Sequence, residues 1–234
     1  RSVELAVRTL APHRSRIVAL EDLYGGTYRF LEVLAEEGAY QVDFVRGEEG
    51  LRRGLADPAS LVVIETPTNP MMTQFDVATV SALAHDAGAL LVVDNTFLTP
   101  YLLRPLELGA DAVVYSATKY LGGHGSSVGG ILVDSGNFDF ASVPKRFPGF
   151  NTPDPSYNGL VYARDLGVGS EMGNVAFILK AHTEGQRDLG FAASPFNAFL
   201  IAQGVETLSL RMERHVDNAL AVARFLEEIG RAHV

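Results

Sequence analysis

The chain has 234 residues, 47% of them hydrophobic, which is enough to bury one sizeable core. A formal net charge of −9 leaves no basic footprint for nucleic acid or an anionic membrane surface. With no cysteine the chain has no disulfide and no thiolate metal site, which fits a cytoplasmic setting, and no apolar run reaches the ~18 to 20 residues of a membrane span.

Apolar runs alternate with helical patterns. Residues 1–10 read as the inside of a helix without a cap, so the chain is expected to start within an element. A short buried strand follows at 16–20, then a helix at 27–37 closed by Gly38, and a strand at 41–45. After the strand at 61–65, Pro67 and Pro70 forbid helix. Asp76 is placed to cap a helix whose apolar face is Val77, Val80, Leu83, Ala84 and Ala87, with Gly88 ending it. Strands are then expected at 90–94, 112–115 and 130–134, and the alternation predicts an α/β fold with a mostly parallel sheet covered on both faces. Residues 137–170, rich in Pro, Gly, Asn and Asp, read as an ordered loop region. From about Val205, Leu208, Met212, Val216, Ala219, Ala223 and Leu226 recur at helical spacing and predict a long helix with one buried face. The final string, residues 229–234, breaks this pattern and matches the in-frame translation of a common sequencing adapter; it is expected to be non-native, and both ends of the chain to be truncations.

Two strand ends carry chemistry. Residues 90–94 finish on Asp94, and 112–115 run into Ser116-Ala117-Thr118-Lys119. Open α/β sheets bind ligands at the carboxyl ends of their strands. Two hydroxyls and a lysine there can serve a phosphate and a carbonyl, and an acid can serve a cationic ring nitrogen, a combination that suggests pyridoxal 5′-phosphate (PLP). Two other enzymatic readings use the same residues. Tyr115 and Lys119 have the Tyr-x-x-x-Lys spacing of short-chain dehydrogenases, but Gly25-Gly26 does not supply the glycine-rich turn, and Gly122, Gly123 and Gly125 make poor helix. Ser116 and Lys119 have the Ser-x-x-Lys spacing of penicillin-binding enzymes, yet neither Ser-Asp-Asn nor Lys-Thr-Gly occurs. The six histidines lack His-x-x-x-His spacing, so no metal site is expected.

Four strings, Leu23-Tyr24-Gly25-Gly26-Thr27, Glu65-Thr66-Pro67-Thr68-Asn69-Pro70, Val93-Asp94-Asn95-Thr96-Phe97 and Ser116-Ala117-Thr118-Lys119, occur in the order and spacing of one family. On them the chain resembles the cystathionine γ-synthase-like enzymes of Cys/Met metabolism, PLP-dependent transferases of fold type I. The resemblance runs to about Glu228 and implies that residues 1–228 form a large PLP-binding domain leading by its long helix to a C-terminal domain. It implies that Lys119 carries the cofactor and, once released, shuttles protons, and that Asp94 faces the pyridine nitrogen. Ser116 and Thr118 would be phosphate ligands, Tyr24 the aromatic over the ring, and Asn69 a partner of the ring hydroxyl, with Thr96 near the ring face. Taken alone, Asp94 could cap a turn, and Ser116, Thr118 and Asn69 read as ordinary turn residues. His124 reads as a structural loop residue, its flanking glycines letting backbone pass close to the site.

The texture of residues 122–130, 153–157, 194–199 and 206–215 is similar to the O-acetylhomoserine sulfhydrylase branch. That implies γ-replacement on O-acetylhomoserine with sulfide or a thiol, yielding homocysteine or methionine, in a homo-oligomer built as a dimer of dimers. Cystathionine or methionine γ-lyase, cystathionine γ-synthase, and an inactive PLP-binding fragment are the alternatives. The resemblance further implies an upstream glycine turn for the phosphate, an arm lending Tyr and Arg to a neighbouring subunit, and a substrate-carboxylate arginine, all outside this chain. Residues 171–180 depart from the family texture.

Overall fold

A computed structural model of the protein describes residues 2–232. Helix α1 (Ser2–Leu10) leads to strand β1 (Arg16–Leu20), α2 (Gly25–Glu36), β2 (Gln41–Val45), α3 (Gly47–Gly54), β3 (Leu61–Glu65), α4 (Val77–Asp86) and β4 (Leu90–Asp94). The short α5 (Thr99–Leu102), then β5 (Ala112–Ser116) and β6 (Gly130–Asp134), complete a six-stranded sheet of order β2-β1-β3-β4-β5-β6. Strands β1 to β5 are parallel, and β6 runs antiparallel along β5.

Successive residues of a strand point to opposite faces, so a strand buried throughout is covered on both. β3 is buried along its whole length, as are β1, β4 and β5 apart from one terminal residue each. The edge strands β2 and β6 are the exposed ones. Asp76 caps α4 as its position implies, its Oδ1 accepting the Ala78 N–H at 3.1 Å. The chain steps from β1 out to β2 and then back past β1 to β3. The loops after β1 and β3 therefore part at the sheet's switch point, the place where open α/β sheets bind ligands.

The remaining elements lie beyond the sheet. Residues 137–170 are loops interrupted by single helical turns, among them α6 (Pro148–Asn151) and α7 (Tyr162–Asp165). An aromatic cluster that local composition hides holds them together: Phe140 stacks on Phe150 at 3.9 Å, with Phe138, Phe147 and Tyr162 packed edge-on around them. α8 (Ala176–Lys180) continues as a π-helical segment over Ala181–Asp188, within and beyond the atypical stretch 171–180.

Three expectations change. The helical stretch expected from about Val205 is two helices, α9 (Pro195–Glu206), capped by Ser194, and α10 (Leu208–Ala232), with a corner at Thr207. α10 buries Leu208 and Met212 only; Val216, Leu226 and the rest of the predicted apolar face are exposed, because nothing in the described residues packs on the helix past its first turns. α2 begins at Gly25 rather than at Thr27. Residues 229–232 continue α10; Arg1, His233 and Val234, the last two within the string expected to be non-native, lie outside the described residues.

Candidate active site

The carboxyl ends of β1, β3, β4 and β5 lie side by side and carry most of the residues singled out above. Asp94 ends β4. Its Oδ1 accepts two hydrogen bonds from Thr96, from the backbone N–H at 3.1 Å and from Oγ1 at 2.5 Å. Thr96 Oγ1 accepts in turn from the Ser116 N–H at 2.9 Å. One hydroxyl thus ties the end of β4 to the end of β5, and Asp94 Oδ2 is left without a protein donor among the described residues. Burial pushes the Asp94 carboxyl above its ordinary range, and the two Thr96 bonds work against that. A half-satisfied acid at the end of a buried strand suits a cationic partner, and a protonated pyridine nitrogen is such a partner.

Tyr24 follows β1 and is half exposed. Its backbone N–H donates to Glu65 Oε2 at 2.6 Å, and its ring folds over α2: a Cβ on Gly26 would lie 2.5 Å from Tyr24 Cε1. Gly26 therefore makes room for the Tyr24 ring against the first turn of α2. Glu65 is the site residue that the sequence reading left without a role. It is 5% exposed and stands in register with Asp94, and burial above all, with Asp94 and Asp22 adding to it, pushes its carboxyl up to about 7 despite the Tyr24 N–H. An acid closing an otherwise apolar strand beside another acid-ended strand was the available signal.

Asn69 is half-buried in the loop after β3, which is braced by Thr68 and Thr73 hydroxyls donating to Asp22 Oδ2 at 2.5 and 3.2 Å. Thr118 is engaged elsewhere. Its Oγ1 donates to the Gly129 carbonyl at 3.3 Å and accepts the Gly129 N–H at 3.1 Å, so its one donor is not turned to an incoming phosphate. Lys119 is exposed, its N–H bonded to the Ser116 carbonyl at 3.1 Å, and it lines a cleft of ≈ 360 Å³ with Thr118, Phe97, Tyr120, Arg211 and His215. The Tyr120 ring packs edge-on against Phe97 and His215 in its wall. Hydrogen bonds and register thus join Asp94, Thr96, Ser116, Glu65 and Tyr24, whereas Lys119 and Thr118 border the cleft beside α10. His124 is exposed. Of the glycines flanking it, Gly123 makes room for Arg211, whose Cζ would lie 2.7 Å from a Cβ there, while a Cβ on Gly125 would meet nothing within 4 Å; on α9, a Cβ on Gly204 would meet the Gly122 carbonyl oxygen at 2.0 Å.

The Cys/Met metabolism PLP-dependent enzyme family matches residues 2–233. The chain belongs to that family. It is 47% identical over 228 residues to the O-acetyl-L-homoserine sulfhydrylase of Leptospira meyeri, covering 96% of this chain and 51% of that protein. It is 44% identical to the homocysteine synthase of Schizosaccharomyces pombe, covering 96% and 52%. Among solved structures it is similar to a Campylobacter jejuni protein described as an O-acetylhomoserine (thiol)-lyase, which holds N′-pyridoxyl-lysine-5′-monophosphate, with a TM-score of 0.84, 29% identity and coverage of 97% and 55%. Cystathionine γ-synthase of Xanthomonas oryzae pv. oryzae gives a TM-score of 0.74 at 32% identity, covering 97% and 49%. The mostly parallel sheet is that of the fold type I PLP enzymes. The chain spans about half the length of the curated relatives it matches. No helix of the described residues is long and apolar enough to cross a membrane, and no cluster of three metal-ligating side chains occurs among them.

Proposed function

We infer that residues 1–228 are the cofactor-binding domain of a PLP-dependent γ-replacement enzyme. The whole protein would exchange the acetoxy group of O-acetylhomoserine for sulfide or a thiolate, releasing acetate and yielding homocysteine or methionine. The observation that carries the reading is the hydrogen-bonded run Asp94–Thr96–Ser116 across two strand ends, with Lys119 three residues further on. Likeness to a sulfhydrylase at 47% identity supports this substrate class.

The residues fit the cofactor. Lys119 would hold it covalently, Asp94 Oδ2 would face its ring nitrogen, Tyr24 would cover the ring, and Asn69 and Thr96 would flank it. Ser116 would donate to the phosphate, and Thr118 would join it by exchanging its 3.3 Å bond to Gly129 for a phosphate oxygen. Bound there, PLP supplies the electron sink for carbanion chemistry. The protein's part is to orient and to move protons. Asp94 would hold the ring nitrogen protonated, and the Lys119 amine would accept the proton from substrate Cα. Loss of the acetoxy group from Cγ would require proton removal at Cα and then at Cβ; acetate leaves with its bonding pair, the sulfur nucleophile adds at Cγ, and protons return to Cβ and Cα, with the Lys119 amine as carrier.

The whole protein would be a cytoplasmic homo-oligomer, a dimer of dimers, and the exposed apolar side chains of α10, Val216, Leu220, Phe225 and Leu226 among them, suit a face covered in the assembly. Sedimentation of the intact protein tests this; a fully active monomer would count against it. The activity is tested by incubating the intact protein, PLP and O-acetylhomoserine with and without sulfide. Homocysteine formed only with sulfide supports replacement. Release of 2-oxobutyrate without sulfide points to a γ-lyase, and a preference for cysteine as the thiol points to cystathionine γ-synthase. A protein that stays colourless with PLP is the non-catalytic scaffold.

A further inference from the structure

One side chain grips the backbone that follows Lys119. Arg211, in the first turn of α10, donates from Nη1 to the Tyr120 carbonyl at 2.7 Å, and from Nη2 to the carbonyls of Leu121 at 3.3 Å and Gly204 at 2.7 Å. Its Nε donates to Thr207 Oγ1 at 3.1 Å. The guanidinium spans three carbonyls and a hydroxyl, a task for its rigid fork that a lysine ammonium does not match.

The backbones around it are in contact as well. Gly123 has φ +75°, and a Cβ there would sit 2.7 Å from Arg211 Cζ. Gly204, at the end of α9, leaves no space for a Cβ against Gly122. Within the turn, Lys119 N–H bonds the Ser116 carbonyl and Gly123 N–H bonds the Lys119 carbonyl at 2.8 Å. Lys119 is thereby pinned on both sides, and the next two carbonyls are held by a helix remote in sequence. Arg211 also lines the cleft that Lys119 borders.

We propose that Arg211 is a positioning residue for Lys119: by tying the carbonyls of Tyr120 and Leu121 to the α9–α10 corner, it fixes the backbone from which the lysine reaches cofactor and substrate. The proposal rests on the assignment of Lys119 as the cofactor-binding lysine. A long flexible side chain reacts efficiently only if its anchor is fixed, because the side chain already has its own rotamers to lose.

The test uses the intact protein with Arg211→Met, which keeps the stem and removes the donors. Two quantities are read: hydrogen exchange of the Gly122 and Gly123 amides, and the rate at which borohydride traps PLP on Lys119, followed by peptide mass spectrometry. Exchange in the turn is expected to speed up at least ~tenfold with β3 and β4 unchanged, and trapping to slow at least ~tenfold. Unchanged exchange in a folded variant overturns the positioning role, and faster exchange with unchanged trapping overturns its link to the lysine. Should Arg211→Met not fold, Arg211→Lys, whose single ammonium does not span three carbonyls, is read in the same way. Absence of any adduct at Lys119 in the unsubstituted protein overturns the cofactor assignment, a failure that the exchange measurement does not share.

Discussion

Glu65 and Asp94 are register partners at the carboxyl ends of β3 and β4, so two acids share one sheet edge. Burial and this neighbour hold Glu65 up at about 7, against 4.5 for an ordinary glutamate. A carboxyl whose pKa rises on folding favours the native state at low pH. Its contribution is fully present below 4.5 and is lost as pH climbs through about 7.

Glu65→Gln keeps an oxygen for the Tyr24 N–H and removes the ionisation. Urea unfolding at pH 8 should show the variant more stable by about 3 kcal/mol, the advantage shrinking to nothing near pH 4. An equal difference at both pH values would mean that Glu65 does not titrate in this range.

Lys119 and Asp94 should fail differently. In the intact protein Lys119→Ala is expected to lose essentially all turnover, together with the band near ~420 nm that borohydride bleaches, since that band belongs to lysine-linked PLP. Asp94→Ala keeps the amine and should retain the band, with turnover down by about 10² to 10³ for the lost charge partner. Near-normal turnover in the Lys119 variant would put the cofactor elsewhere.

Thr96→Val severs both the bond to Asp94 and the one from Ser116 while keeping the side chain's shape. The Ser116 N–H loses its acceptor and Asp94 Oδ1 keeps only the Thr96 N–H, so a loss of about 1–3 kcal/mol is expected in denaturant titration. The Asp94 carboxyl should also titrate higher, because the Thr96 hydroxyl is what lowers it most. Carbon-13 NMR of that carboxyl measures the shift.

Gly204→Ala places a methyl 2.0 Å from the Gly122 carbonyl oxygen, a backbone atom that moves only with the turn carrying Lys119. Destabilisation of about 1–3 kcal/mol is expected, with weakened PLP trapping at Lys119. Gly25→Ala, whose Cβ meets nothing within 4 Å, should change stability by less than about 1 kcal/mol. Thermal unfolding of the pair separates crowding from a general intolerance of glycine replacement.

The sequence alone determined the strands and their likeness to a family, because both are local. Apolar runs such as Leu61 to Ile64 have no place but a doubly covered sheet, and Asp94 and Lys119 announce themselves by ending such runs. Helix α3 went unforeseen, since only Gly50 and Leu51 of its eight residues are buried and the apolar period is too short to read. What only the tertiary structure decided are contacts between distant residues. The Tyr24–Glu65 bond spans 41 positions and the Arg211–Tyr120 bond 91, and no local pattern encodes either. The face of α10 shows the converse. Its spacing was legible, but burial depends on a surface to pack against, and among the described residues Met212 is the last apolar side chain of the helix to be buried.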